Sequence, residues 1–149
     1  MSLIAPIETQ KGPAADERRL HHVGFVINSI KDSVHDFTEL LSCTWDGALI
    51  FDPLQKVRVA FLKVGGAGEP LIELVEPAGE DSPVKAFLKR GAGLHHLCYE
   101  VGDLEAELRK SRGQSGLLVR PPLPAIAFGG RRIAWVYTRA RLLLEFLER

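Results

Sequence analysis

Leu20-His21-His22-Val23 returns later in the chain as Leu94-His95-His96-Leu97, and Leu71-Ile72-Glu73-Leu74 returns as Leu143-Leu144-Glu145-Phe146. The spacing returns as well: Glu73 follows His22 by 51 positions, and Glu145 follows His96 by 49. A two-residue difference over that length is what loop trimming produces, so the chain reads as a duplicated module. Each copy opens on a histidine and closes on a glutamate. Together they supply two imidazoles and two carboxylates, a donor set suited to a divalent metal.

The flanking residues carry the same order in both copies. Val23, Phe25 and Ile27 alternate against His22, Gly24 and Val26, which is the period of a strand. By that alternation His21 falls on the Val23 face, away from His22. Ser29 then stands where a helix N-cap belongs, with Asp32 three residues on. Ile30, Val34, Phe37 and Leu41 keep helical spacing and predict one buried stripe. Apolar segments around 48–51, 57–64 and 71–75 complete a β-α-β-β-β unit, with Gly65-Gly66-Ala67-Gly68 turning between the last two. Ser82-Pro83 opens a short connecting helix over 84–89.

In the second copy Leu97, Tyr99 and Val101 oppose His96, Cys98 and Glu100, and His95 falls opposite His96. Asp103 caps a helix that Gly113 ends. Strands are expected over 117–119, 133–138 and 142–147, with Pro121-Pro122-Leu123-Pro124 as a separating segment. The predicted fold class is α+β: two tandem β-α-β-β-β modules forming one curved mixed sheet around a metal cleft. The expected organisation is a flexible leader over 1–19 and one domain over 20–149. Within it, module one spans 20–78, the connecting helix 81–90 and module two 93–149.

The chain's 149 residues suffice for one well-cored domain and not for two ordinary ones. Nineteen basic and nineteen acidic residues cancel, which leaves no electrostatic footprint for nucleic acid or an anionic membrane. No stretch approaches a membrane span. Cys43 and Cys98 form neither a CxxC pair nor a disulfide framework. The start lacks a basic leader and a long apolar run. A cytoplasmic protein is the expectation.

Singly, a histidine at a strand start or a glutamate in a strand is most often a hydrogen-bonded or edge group. Repetition changes that balance. Two carboxylates inside apolar runs, at matched distance behind two histidines, need a partner, because an unpaired buried charge is costly. His22, Glu73, His96 and Glu145 are therefore the metal-site candidates. His21 and His95 are assigned structural roles, and His35 a solvated one. Gly129-Gly130-Arg131-Arg132 lacks the full phosphate-loop fingerprint and reads as a turn with solvated arginines. Trp45 and Trp135 read as core or dimer contacts.

At this point the residues resemble the vicinal oxygen chelate superfamily, which contains glyoxalases, epimerases, ring-cleaving dioxygenases and bleomycin-binding proteins. The resemblance covers about residues 20–148 and is nearest to the methylmalonyl-CoA epimerases. It rests on Glu80-Asp81-Ser82-Pro83-Val84-Lys85-Ala86-Phe87-Leu88 followed by Gly93-Leu94-His95-His96-Leu97. Val57-Arg58-Val59-Ala60-Phe61-Leu62, Leu71-Ile72-Glu73-Leu74-Val75-Glu76-Pro77 and Gly129-Gly130-Arg131-Arg132-Ile133-Ala134-Trp135 add to it. It implies His22, Glu73, His96 and Glu145 as the four metal ligands, in the vicinal oxygen chelate fold, with a homodimer as the usual assembly. Epimerases of this kind usually carry His-Pro-Lys and Gly-Gly-Val before the last strand, where this chain reads Tyr137-Thr138-Arg139-Ala140-Arg141-Leu142. Some members place a second acid-base carboxylate where Val59 stands.

The activity so implied is a divalent-metal-dependent isomerase or epimerase that moves a proton α to a carbonyl or thioester. Zn, Co, Ni, Mn and Fe all accept this donor set. The substrate would be a small molecule, an acyl-CoA or a glutathione adduct. Glu145 is the candidate proton carrier, because a carboxylate at the metal's edge can loosen and shuttle a proton. Glu100, on the same strand face as His96, is the second. A lactoylglutathione lyase is the alternative enzyme, and a metal-free binding protein of the bleomycin-resistance type is the non-catalytic one. An extradiol dioxygenase ranks last.

Overall fold

A computed structural model describes residues 18–149, so the expectation for the leader at 1–17 lies outside the described residues. Strand β1 spans Arg18–Val26, which places Arg18 and Arg19 in the sheet rather than in a leader. Eight strands form one sheet in the order β2-β3-β4-β1-β5-β8-β7-β6. The others are β2 Ile50–Asp52, β3 Val57–Lys63, β4 Leu71–Pro77, β5 Gly93–Val101, β6 Leu117–Pro124, β7 Arg132–Tyr137 and β8 Leu143–Glu148. Within each half the first strand runs parallel to the last, β1 with β4 and β5 with β8. The halves join through antiparallel β1 and β5 at the centre of the sheet. This is the curled mixed sheet that the repeat predicts.

Each half carries one helix on the convex face. Helix α1, Ile30–His35, is capped by Ser29, whose side chain accepts from the Asp32 N–H. Helix α3, Leu104–Gly113, is capped by Asp103 in the same way through Ala106. Ile30 and Leu104, the first residue of each, are wholly buried, which stabilises by roughly 1.5–3 kcal/mol apiece. Beneath α1 lie Ile27, Cys43, Ala60, Leu62 and Leu74; beneath α3 lie Val101, Ala134, Val136 and Phe146.

Several local expectations are corrected. After His35 the chain widens into a π-helical turn, Asp36–Leu40. That extra residue per turn breaks the stripe, and Leu41 ends 57% exposed. The connecting helix α2 is Lys85–Leu88, later than the Pro83 start. Helix α3 runs through Gly113, and Ser115 takes the left-handed conformation at φ 64. The proline segment belongs to β6, where prolines are tolerated because β6 is an edge strand with one unpaired side. Among the described residues no helix is long and apolar enough to cross a membrane.

The concave face is roofed by α2 and by the segment joining β6 to β7. Val26, Val57, Val59, Val75 and Val84 pack together there, beside Cys98, Ala125, Phe128, Ile133 and Leu147. The two edges of the sheet approach each other across this face. The Asp52 carboxylate at the end of β2 accepts from the Ile126 N–H at 2.8 Å, which ties edge to edge.

Candidate metal centre

Strands β1, β4, β5 and β8 are the four central ones, and each brings one polar side chain to the concave face. Glu73 and Glu145 sit in the parallel partners of the histidine strands, facing inward by alternation from Leu74 and Phe146, which pack beneath the helices. His22, Glu73, His96 and Glu145 each offer one potential donor atom, and these four atoms lie within 4.8 Å of one another. His22 Nε2 is 3.0 Å from His96 Nε2. Glu73 Oε2 lies 3.1 Å from each histidine Nε2. Glu145 Oε2 lies 3.3 Å from His22 and 3.2 Å from His96. All four residues are buried, at 0%, 5%, 4% and 2% exposure in chain order.

These spacings test whether the set fits a cation. A metal with N and O donors at about 2.1 Å has adjacent donors roughly 3 Å apart. Five pairs here fall between 3.0 and 3.3 Å, so the donors already stand where such an ion needs them. The electrostatics agree. Burial alone would push the His22 and His96 imidazoles down. The carboxylates of Glu73 and Glu145 outweigh it, and both histidines titrate above their ordinary 6.5. Burial likewise works against ionising Glu73 and Glu145, but the two histidines hold both below the ordinary carboxylate range. The site therefore favours two anionic carboxylates facing positive charge.

Two β-bulges position the neighbouring histidines. Across the β1–β5 ladder, Leu20 pairs Tyr99 and His22 pairs Cys98, while Gly24 pairs His96 and Phe25 pairs Leu94. His21 and His95 are the extra residues, so strict alternation fails at both. The expectation that they face away is corrected: His21 Nδ1 lies 2.8 Å from His22 Nδ1, and His95 Nδ1 lies 2.9 Å from His96 Nδ1. With the Nε2 atoms of His22 and His96 turned to the centre, each outer histidine fixes its neighbour's ring through the other nitrogen. Burial, then the adjacent His96, pushes His95 down to about 4, which keeps it neutral. Gly24 is required by space: a Cβ there would stand 2.0 Å from His96 Cε1.

A cavity of about 200 Å³ opens onto Glu73, His96 and Glu145. His22 is shielded from it by Phe128, stacked at 5.7 Å and 16°, and by Phe61. Trp135 is not a plain core or dimer contact. It lines the cavity with its ring edge-on to His96 at 4.7 Å. Its strand pairing with Glu145 put it on that face, a signal present in the alternation of β7. Trp45 packs beside the core under α1, its indole N–H donating to Ala48 O. Glu100 is engaged by Arg131 at 3.0 Å and Arg149 at 3.4 Å and does not line the cavity. Gly129 and Gly130 do form a turn, at φ 66 and 84, but its arginines are paired: Arg131 with Glu100, Arg132 with Glu148 and Glu105. His35 is exposed. Sequence reasoning missed Asp52, Gln55 and Arg120, which line the cavity from the two sheet edges.

Comparison with known proteins agrees with this geometry. The uncharacterized protein YqjC of Bacillus subtilis is 34% identical over 133 residues, covering 87% of this chain and 91% of that one. The ethylmalonyl-CoA/methylmalonyl-CoA epimerase of Cereibacter sphaeroides is 27% identical over 123 residues, covering 81% and 89%. The crystal structure of methylmalonyl-CoA epimerase from Mycobacterium tuberculosis superposes with a TM-score of 0.74 at 28% identity, covering 87% and 86%. The family description "Glyoxalase/Bleomycin resistance protein/Dioxygenase superfamily" matches residues 3–135. With the duplicated half-sheets, the inward histidines and this match in agreement, the chain belongs to that superfamily, among relatives that include methylmalonyl-CoA epimerases.

Proposed function

We propose that this protein is a divalent-metal-dependent isomerase or epimerase that moves a proton on the carbon α to a carbonyl or thioester. The observation that carries the reading is the buried His22, Glu73, His96 and Glu145 quartet, three of whose members line a cavity. These four residues would hold a divalent ion such as Zn, Co, Ni, Mn or Fe, and when bound it supplies Lewis-acid polarisation of a carbonyl oxygen.

The chain's own residues supply the rest. Val57, Val59, Val75, Ile133 and Trp135 make an apolar wall that excludes water from the reacting carbon. His21 and His95 hold the ligand rings in place. Glu145 lines the cavity and is the proton carrier: it takes the α-proton from one face of the carbon, and a proton returns to the opposite face, by way of Glu145 or water, which inverts the centre. Glu100 is set aside for this role, because its two arginine partners hold it as a structural carboxylate.

A 200 Å³ cavity accommodates a short acyl group and leaves a carrier such as CoA outside. The relatives named as methylmalonyl-CoA epimerases support an acyl-CoA over a glutathione adduct. A complete donor quartet favours catalysis over simple binding. Exposed apolar residues on the edge strands, Phe51 on β2 and Leu117 on β6, support a homodimer. Buried, unpaired Cys43 and Cys98 support a reducing compartment, the cytoplasm.

The test is proton exchange in heavy water, with methylmalonyl-CoA and, separately, the methylglyoxal–glutathione hemithioacetal. Metal-dependent deuterium incorporation into the first alone is the expected result. Exchange into the second alone makes the protein a lactoylglutathione lyase. Exchange into neither, with metal bound, removes the catalytic reading.

A further inference from the structure

Two side chains in the cavity wall, Gln55 and Arg120, have no part in the quartet. Gln55 sits in the turn between β2 and β3 and is 8% exposed. Asp52 builds that turn: one carboxylate oxygen accepts from the Leu54 and Gln55 N–H groups, each at 3.0 Å, and the other from Ile126. Arg120 arrives from β6, on the opposite edge of the sheet, and its Nη1 donates to Gln55 Oε1 at 3.1 Å. A guanidinium can only donate, so this bond settles which end of the amide is the oxygen. Gln55 Nε2 is left as the free end, buried and without a hydrogen-bond partner among the described residues.

Among the described residues four arginines are partly buried; Arg18, Arg131 and Arg132 each meet a carboxylate, whereas Arg120 forms no ion pair. Its one side-chain hydrogen bond is to a neutral amide, with no carboxylate of the described residues within ion-pair distance. Asp52 lines the same cavity, but its oxygens accept from the backbone N–H groups of Leu54, Gln55 and Ile126 and it forms no ion pair with Arg120. A buried amide N–H without a partner is costly, and a partly buried guanidinium without a carboxylate can still take an anion through its free N–H groups. The surrounding wall, Val57, Val119 and Ile133, offers an oxygen nothing.

We propose that Gln55 and Arg120 form a carboxylate-recognition subsite in the cavity wall, which selects ligands bearing a free carboxylate. The inference rests on reading the cavity as the substrate pocket, and it assigns a specificity role to residues outside the His/Glu quartet. The two sheet edges each contribute one member, so the subsite exists only when the sheet is fully curled.

The experiment is calorimetric titration of the metal-loaded protein and of Arg120→Leu and Gln55→Leu. The probes are methylmalonyl-CoA against propionyl-CoA, which lacks only the carboxylate, and free methylmalonate against isobutyrate. The wild type should prefer the carboxylate-bearing member of each pair, and Arg120→Leu should shrink that preference about tenfold while leaving propionyl-CoA affinity in place. Arg120→Lys should restore part of it. Arg120 is only partly buried, so its variants test the subsite even if Gln55→Leu folds poorly. An unchanged preference in Arg120→Leu, or no preference in the wild type, overturns the subsite. The free acids separate the two readings: a methylmalonate preference lost in Arg120→Leu supports the subsite even where both thioesters are ignored and no proton exchange occurs.

Discussion

The two halves of this protein place equivalent histidine and glutamate side chains in unequal surroundings. In the second half, His96 and Glu145 face the cavity, with Trp135 and His95 beside them. In the first half, Glu73 reaches the cavity, but His22 lies beneath Phe128 and Phe61 with no exposure. The position two residues after each histidine differs as well. Gly24 clears space for the His96 ring, while Cys98, pushed up to about 12 chiefly by burial, packs against His22 as a neutral thiol. Duplication thus supplied a symmetric donor set. Divergence of the covering residues then left His22 enclosed and His96 facing the cavity.

The sharpest way to break this comparison is to exchange the roles of the two glutamates. Glu145→Gln should cut α-proton exchange roughly a hundred- to ten-thousand-fold, the range for a positioned general base, while retaining much of the metal. Glu73→Gln should lower metal affinity with a smaller loss of rate per bound metal. Equal rate losses per metal in the two variants, read by deuterium incorporation and elemental analysis, would mean that Glu145 has no special role.

Next in size is loss of a ligand. His96→Ala should abolish metal binding and with it the stabilisation that a folded-state ligand confers, about 3 kcal/mol at a hundredfold excess over Kd. Thermal melts with and without metal measure this. His95→Ala removes only the outer partner and should weaken metal binding about 10- to 100-fold rather than abolish it. A His96→Ala variant that melts with the same metal dependence as wild type contradicts the site.

Gly24 and Cys98 sharpen the comparison at one pseudo-equivalent position. Gly24→Ala places a methyl where the His96 ring sits, and overpacking of this kind costs roughly 1–3 kcal/mol. Cys98→Ala removes one buried atom beside His22 and should cost about 1 kcal/mol, with metal retained. If both variants keep full metal content and equal stability, the asymmetry at this position has no consequence.

The smallest effect is the pH dependence of the chelator-treated protein. His22 and His96 titrate above 6.5 in the fold, so their contribution is full below 6.5 and is lost as pH rises through the raised values. Glu73 and Glu145 titrate below 4.5, so theirs is full above 4.5 and is lost as pH falls through the lowered values. Stability of the metal-free protein should therefore peak between pH 4.5 and 6.5 and decline towards pH 9. Metal affinity should run the other way, because binding must displace protons from the histidines. A metal-free melting temperature that rises from pH 6 to pH 9 contradicts the charge assignment.

Much of this was legible in the sequence for local reasons. The repeat of His22 with Glu73 as His96 with Glu145, the strand alternation around them, and the caps at Ser29 and Asp103 depend on neighbours a few residues away. Those signals determined the two half-sheets, their helices and the four residues that the structure brings together. What alternation could not supply was the pair of bulges, because a bulge exists only in the ladder between two strands. It turned His21 and His95 towards the site against the period-two rule. The π-helical turn that exposed Leu41 and the edge position that admits four residues of Pro121–Pro124 into β6 are likewise settled by packing and sheet order. Gln55 and Arg120 lie 65 positions apart on opposite edges, and nothing in either segment marks a binding residue. Only the curl of the sheet brings those edges together. The sequence by itself determined the four candidate donors and their repeat, through local pattern; tertiary structure decided which histidine faces the cavity and what lines its wall, because those contacts join strands far apart in the chain.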